Sequence, residues 1–377
     1  MSAAPFKRAV ENPAAAQAKL LSEILERNKG TEYGKGYEFG RLKNLKDYQG
    51  NVPIIDYEDI RERIDRMTLA EKNILTAEEP VLFAQTSGTT GSPKYIPVTP
   101  TCQKGGGTTT WFHFANTSHP KMLSGKVITI VSPAVEGYTK GNIPYGSTSG
   151  MVIRELPKIV QSAYAVPYDA FEIEDYDAKY YSLLRFGMQE NLTFIGTANP
   201  SSILKLAEMA DRFGEQLIKD IRDGTLSREF EVADKWRKSL EAKLRPNPAR
   251  AGVLEECRAK RDGKLLPADY WPRMALLGCW KGGTVGSYID RLPDWYDPDG
   301  RGLLPIRDMG YLASEARMSI PVSDTGAGGV LSVHLNVFEF VEADEIEGNP
   351  DDADSWRFQG PEDVEVGKEY YVCLLYT

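Results

Sequence analysis

The sequence predicts an α/β protein in which mixed β-sheets are flanked by helices. Three observations carry that prediction. Short apolar, β-branched runs bounded by Gly or Pro recur at 126–131 (KVITIV), 194–197 (FIGT) and 274–280 (MALLGCW), as in strands covered on both faces. Segments of helical character stand among them at 201–215, 215–222 and 234–244, and such alternation is typical of α/β chains. Nearer the N-terminus, the apolar stretches 81–84 and 95–98 bracket a polar segment rich in Gly, Ser and Thr, which reads as strand, loop and strand.

The remaining elements follow in order. Residues 14–27 set Ala16, Leu20, Leu21, Ile24 and Leu25 at helical spacing with charges opposite, giving an amphipathic packing helix. Asp56 can cap a helix over 57–67, with Asp59 at the third position of an imperfect capping box and Ile60 and Ile64 on one face. Residues 76–80 form a turn, and the Gly/Thr-rich 105–110 leads into 111–116, read as a helix start facing the site. A long polar-aromatic loop is expected at 137–150, where Gly137, Gly141, Gly146 and Gly150 alternate with Tyr138, Tyr145, Ser147, Thr148 and Ser149. After a strand's C-terminal end such a loop is either part of a substrate pocket, through Tyr138, Tyr145 and Ser149, or plain surface. Residues 281–284 (KGGT) follow a strand; Gly283 would let a flat ligand approach closely, or would simply make a tight turn. A helix is expected within 284–296. The run 334–342 (HLNVFEFVE) alternates with period two and reads as core sheet, and 369–376 reads as a strand.

Composition narrows the classes. The 377 residues, 41% hydrophobic and 26% charged, suit a folded protein with room for roughly two domain-sized cores. A formal charge of −9 disfavours nucleic acid or an anionic membrane as partner. Cys102, Cys257, Cys279 and Cys373 are far apart, which argues against zinc and against a disulfide framework and suggests buried, reduced thiols. His113, His119 and His334 are read as structural. Neither a secretory h-region nor a membrane span stands out, so a cytoplasmic location is expected.

Chemistry concentrates in 85–94, QTSGTTGSPK. Gly88 and Gly91 permit positive-φ turns that converge backbone amides on an anion, Ser87, Thr89, Thr90 and Ser92 add hydroxyl donors, and Lys94 supplies a point charge. Pro93 before Lys94 and the strand-like YIPVT after it separate this loop from the phosphate loop that opens a helix. A polar hairpin turn is the plainer alternative. The motif closely resembles the signature loop of the adenylate-forming superfamily, which includes acyl-CoA synthetases and luciferases.

Tyr311, Leu312, Ala313, Ser314 and Glu315 resemble that superfamily's Tyr-Gly-x-Thr-Glu motif, and more closely the Tyr-x-x-Ser-Glu form of the Gretchen Hagen three acyl acid amido synthetases, an auxin-responsive family with bacterial members. Matches at 31–35, 52–54, 57–58, 83–84 and 336–340 extend the resemblance over nearly the whole chain. It implies that 1–377 is an N-terminal adenylation domain that binds ATP and an acyl substrate. It further implies that Ser87, Gly88, Thr89, Thr90, Gly91 and Lys94 hold the triphosphate, that Tyr311 stacks on adenine, that Ser314 bonds near the α-phosphate, and that Glu315 ligates Mg2+. A solvated surface carboxylate is the plainer reading of Glu315. Lys94, loop amides and magnesium would then offset the repulsion between ATP and an acidic protein. Gly283 is placed beside adenine or ribose.

The implied chemistry is attack of a small carboxylic acid on ATP to give an acyl adenylate, then amide formation with an amino acid. An acyl- or aryl-CoA ligase and a non-catalytic nucleotide binder are the alternatives. Family members continue through a Tyr-Arg-x-Gly-Asp motif into a mobile C-terminal domain with a catalytic lysine, neither of which lies within 1–377, so truncation is expected. The acid, the acceptor and the oligomeric state are not legible.

Overall fold

A computed structural model of the chain describes residues 3–86, 93–104, 106–302, 304–350 and 352–375. Strands β1 (Leu82–Thr86) and β2 (Lys94–Val98) pair antiparallel in the register Leu82 with Val98 through Thr86 with Lys94. These are the two strands expected on either side of the polar segment, reaching one or two residues nearer to it; residues 87–92 between them lie outside the described residues. β3 (Lys126–Thr129) opens a second sheet, while β4 (Gly137–Tyr138) and β5 (Pro144–Gly146) return to the first, whose order is β2-β1-β5-β4 with β5 parallel to β1. The expected long loop at 137–150 is therefore a short hairpin followed by the helix Thr148–Arg154, which Ser147 caps by accepting from the Gly150 amide.

β6 (Leu192–Gly196), β7 (Leu276–Gly278) and β8 (Ile306–Arg307) join β3 in an all-parallel sheet of order β3-β6-β7-β8. Adjacent residues in a strand point to opposite faces, and the sequence supplies apolar pairs that serve both. Ile128, Ile195 and Leu277 enter the larger core with Tyr181, Leu184, Ile203 and Leu206. Val127, Phe194 and Leu276 meet Trp111, Ala115 and Met122 on the other side. Burying each such side chain contributes about 1.5–3 kcal/mol, which is why these runs lack the polar alternation of half-exposed strands.

Smaller pairs complete the β-structure: β9 (Ser319–Ile320) with β10 (Val330–Leu331), and β11 (Phe338–Glu342) with β12 (Tyr370–Leu374), both antiparallel. Only the second half of the expected strand at 334–342 forms. Upstream the chain turns, and Gln17 Nε2 donates to the carbonyls of Val333 (2.7 Å) and Asn336 (2.8 Å), replacing a strand partner.

The helix Pro13–Asn28 and the helix Tyr57–Thr68 fall where periodicity put them. The Asp56 capping box is complete: Asp56 accepts from the Glu58 and Asp59 amides and Asp59 Oδ2 accepts from the Asp56 amide at 2.8 Å. Helices Pro200–Arg212, Gly214–Asp223 and Asp234–Glu241 match their expected segments closely. The helix expected at 111 starts earlier, as Gly107–Ser118, because Gly106 caps it at φ 78°. Its Trp111 is 1% exposed and faces the parallel sheet rather than a site. The helix expected within 284–296 is broken into Gly286–Ile289 and Pro293–Tyr296, since Pro293 cannot continue a helix from the preceding turn. All four cysteines are free thiols, but only Cys279 is buried as expected; Cys257 and Cys373 are partly buried and Cys102 is exposed. Among the described residues no helix is long and apolar enough to cross a membrane.

Candidate functional site

β8 ends at Arg307, and the chain turns at Asp308 and Gly310 into Tyr311. Asp308 is 3% exposed and both of its carboxylate oxygens are used. Oδ1 accepts from the Gly310 amide at 2.6 Å, closing an Asx-type turn, and Oδ2 accepts from the Lys281 amide at 2.7 Å. Lys281 belongs to the loop that leaves β7. Trp280 Nε1 donates to the Gly310 carbonyl at 3.0 Å, and the Trp280 amide donates to the Ala198 carbonyl at 2.8 Å in the loop that leaves β6. Three neighbouring parallel strands thus deliver their C-terminal loops to one place, the edge where open α/β sheets bind ligands.

On that edge, Tyr311–Glu315 form one arm of a tight turn. The Met318 amide donates to the Tyr311 carbonyl (2.8 Å), the Ala313 amide to the Ala316 carbonyl (2.9 Å), and Leu312 bridges Arg317. Ser314 and Glu315 lie at the tip, both exposed, and Tyr311 is 60% exposed. Among the described residues Glu315 has no hydrogen bond or ion pair, so its carboxylate is available. Gly310, at φ 87°, makes the entry possible: a Cβ there would run into the Ser319 carbonyl. Gly283 begins a 3₁₀ turn, Gly283–Val285, at φ 64° and faces open space, while Gly282 lies against Ala327 of the 321–329 loop.

That loop is fastened by Asp324. Arg307 Nε donates to Asp324 Oδ1 at 2.6 Å, His119 Nε2 lies 2.6 Å from Oδ2, and Lys281 Nζ donates to the Asp324 carbonyl at 2.5 Å. Burial works to raise the Asp324 carboxyl, but the hydrogen bonds from Arg307 and His119 outweigh it and hold it below the usual range.

Lys94 stands at the head of β2. Its ammonium is 5.1 Å from the centre of the Tyr57 ring; among the described residues no carboxylate lies within ion-pair distance, although its charge acts on Glu58 from farther off. The Tyr57 hydroxyl accepts from the Tyr95 amide at 2.8 Å, and burial raises the phenol, which stays neutral. Ser87, Gly88, Thr89, Thr90 and Gly91 lie outside the described residues. Tyr145 pairs with Phe83 across β1 and β5, its ring 5.4 Å from that of Tyr95. Tyr138 is 62% exposed on β4, and Ser149 is exposed with its Oγ 2.8 Å from Ser147 Oγ.

The predicted residues therefore fall in two groups. Gly283, Tyr311, Ser314 and Glu315 share the edge organised by Asp308; Lys94, Tyr138 and Tyr145 belong to the first sheet, and Ser149 to the helix that follows β5. The segment leaving β3 is held against the start of the helix that carries Ser149, since the Ser147 amide donates to the Pro133 carbonyl at 3.1 Å and Gly150 is pressed against the Ser132 carbonyl. No hydrogen bond or ion pair links Lys94 to Glu315 directly. Sequence reasoning missed Asp308, whose only signal is an Asp-x-Gly directly after a strand.

A family model described as the GH3 family N-terminal domain matches residues 3–299. The chain belongs to the GH3 family. Similar GH3 relatives in Arabidopsis thaliana include indole-3-acetic acid-amido synthetase GH3.4, 25% identical over 390 residues covering 96% of this chain and 62% of the relative. Another is indole-3-acetic acid-amido synthetase GH3.15, 26% identical over 384 residues covering 94% and 61%. A jasmonoyl–L-amino acid synthetase, JAR4 of Nicotiana attenuata, is 22% identical over 378 residues, covering 95% and 63%. The solved structure of the AtGH3.15 acyl acid amido synthetase in complex with 2,4-DB superposes with a TM-score of 0.82 at 23% identity, covering 98% of this chain and 64% of that one. The likeness establishes the GH3 fold for this chain, which spans about six tenths of the length of these relatives.

Proposed function

We propose that this chain is the ATP- and acid-binding part of an acyl acid amido synthetase, a ligase that activates a small carboxylic acid as its acyl adenylate and then joins it to an amino acid. The observation that carries the reading is the turn at Tyr311–Glu315, with a free, exposed carboxylate at its tip, fastened through Asp308 to the loop carrying Gly283 on the C-terminal edge of a parallel sheet. The relatives support it, because the indole-3-acetic acid and jasmonoyl enzymes are named for amides formed between a carboxylic acid and an amino acid. We assign residues 1–377 to a single adenylation unit on the same grounds.

Each residue has a role suited to its surroundings. Lys94, an ammonium with no carboxylate within ion-pair distance among the described residues, neutralises phosphate charge, a role it would share with Ser87, Gly88, Thr89, Thr90 and Gly91. Tyr311 offers an exposed ring for the adenine, Ser314 a hydroxyl, and Gly283 an unobstructed backbone. Tyr145 and Ser149, with Tyr138 at the rim, are assigned to the acid. Glu315 fits a magnesium ion, which takes one or two carboxylates and draws its other ligands from phosphate and water. Such an ion, when bound, offsets charge on the phosphates. A cytoplasmic location belongs to the same proposal, since ATP and free amino acids would be the substrates.

Acid-dependent exchange of pyrophosphate into ATP, measured on the 377-residue chain over a panel of small carboxylic acids, tests the first half-reaction. Exchange with at least one acid, lost in Lys94→Ala, is expected. Absence of exchange with every acid contradicts the reading, and thioester formation with coenzyme A instead of amide formation would replace the amido synthetase by a CoA ligase.

A further inference from the structure

The first turn of the helix Tyr57–Thr68 carries an aromatic group that the assignments above leave unused. The Asp56 capping box fixes that turn, and with it Tyr57, the first residue of the helix. β2 is the outer strand of its sheet, and the Tyr57 hydroxyl stands where a further strand would pair. It accepts from the Tyr95 amide at 2.8 Å and donates to the Tyr95 carbonyl at 3.4 Å. The ring straddles the sheet edge, packing against the cluster of Ile60, Ile64 and Phe83 on one face and against that of Ile96 and Val98 on the other. Lys94 lies two residues before Ile96 and so belongs to the second of these faces. Its ammonium comes to 5.1 Å from the centre of the Tyr57 ring.

A second cation flanks the same ring. Arg61 lies 4.8 Å from its centre, but that guanidinium is already answered, since its Nε and Nη2 donate to the two carboxylate oxygens of Glu58, both at 2.6 Å. Glu58, the carboxylate on which Lys94 acts from farther off, is thereby committed to Arg61. The difference bears on an ammonium that has to meet phosphates. A carboxylate partner would neutralise it and compete with the anion, whereas the face of a ring attracts the cation and leaves its charge intact. Holding a long, rotamer-rich side chain in place beforehand also removes part of the ordering cost from binding.

We infer that Tyr57 is a positioning residue of this site, whose ring holds the Lys94 ammonium in place, still charged, for the outer phosphates of a nucleoside triphosphate. The inference rests on the proposed function for the role of Lys94, and on the placement of the ring for the contact. Tyr57 acts through Lys94 alone.

Calorimetric titration of the 377-residue chain with ATP and, separately, with AMP tests it in the wild type, Tyr57→Phe, Tyr57→Leu, Lys94→Ala and the double variant, with melting temperatures measured alongside. Tyr57→Phe keeps the ring and strands the Tyr95 amide, so its melting temperature should fall while ATP affinity stays within about twofold. Tyr57→Leu removes the ring face and should weaken ATP binding about threefold to tenfold, with AMP, which lacks the outer phosphates, within about twofold. Added to Lys94→Ala, the same substitution should change ATP affinity by no more than about twofold. Should Tyr57→Leu not fold, pentafluorophenylalanine at position 57, which keeps a ring but not its negative face, replaces it and carries the same expectation relative to Tyr57→Phe. Unaltered ATP affinity without the ring face, equal losses for ATP and AMP, a further loss in the Lys94→Ala background, or no ATP binding to the wild type overturns the inference. The expected fall in ATP affinity without pyrophosphate exchange on any acid would leave Tyr57 its role and remove the ligase reading. Exchange that is lost in Lys94→Ala but keeps its ATP KM in Tyr57→Leu would do the reverse.

Discussion

The amide of Lys281 donates to Asp308 Oδ2 at 2.7 Å, so one buried carboxylate ties the loop leaving β7 to the loop leaving β8. Its other oxygen holds the Gly310 amide, one residue before Tyr311. The exposed turn at Tyr311–Glu315 is thus built from beneath rather than by contacts of its own side chains.

Removing that carboxylate strands two backbone donors. Asp308→Ala is expected to destabilise the chain by about 2–5 kcal/mol, and Asp308→Asn, which keeps one acceptor, by about 1–2 kcal/mol. Urea unfolding measures both; a loss within about 0.5 kcal/mol for the alanine variant would mean that the two loops do not depend on Asp308.

Gly310→Ala places a methyl against the Ser319 carbonyl at a backbone φ of 87°. A cost of at least about 1 kcal/mol is expected, together with a larger fall in pyrophosphate exchange than the stability loss explains, since the substitution re-aims Tyr311. Full exchange activity in a correctly folded Gly310→Ala would separate the turn from the chemistry.

Lys94 contributes little to the fold: it lies 5.1 Å from the Tyr57 ring and acts on Glu58 only at a distance beyond an ion pair. Lys94→Ala should change stability by about 1 kcal/mol or less while lowering exchange by a factor of about a hundred or more, as loss of a charge-stabilising donor does elsewhere. A parallel loss of both would mark Lys94 as structural.

His334 provides a pH prediction. Its ring packs edge-on to Phe6 at 5.4 Å, its Nδ1 is buried with no hydrogen-bond partner, and burial lowers its pKa from the ordinary value. Between its folded value and the unfolded value of about 6.5, the unfolded chain holds a proton that the folded chain lacks. Stability therefore rises with pH through that window, or equivalently is lost as the pH falls through it, and this group contributes no further slope on either side. Urea midpoints at pH 7.5 and 5.5 should diverge more in the wild type than in His334→Leu; an equal divergence would contradict the assignment.

Much of the fold was legible because its cores are written in short apolar runs. The parallel strands were visible in 126–131, 194–197 and 274–280, and the long helices in their periodicity, since burial on both faces or along one stripe leaves a local trace. What failed was decided at a distance. The period-two pattern at 334–342 suggested one strand, but Gln17, more than 300 residues away, takes the carbonyls of Val333 and Asn336. The glycines of 137–150 read as a loop, yet Gly146 and Gly150 are small because the segment leaving β3 presses on them. At the site, Tyr311, Ser314 and Glu315 were found by motif and Lys94 by its place after a glycine-rich loop. Asp308 left only the faint signal of an Asp-x-Gly after a strand, since its meaning lies in amides brought to it by the fold.

The central claim is that Lys94 and Glu315 serve one triphosphate. A crystal structure of the 377-residue chain with Mg2+ and a non-hydrolysable ATP analogue tests it most directly. The account predicts a single nucleotide whose phosphates reach the Lys94 ammonium and whose metal is ligated by Glu315, with Tyr311 against the base. A nucleotide bound elsewhere, or one that reaches Lys94 while Glu315 remains in solvent away from the metal, would contradict it.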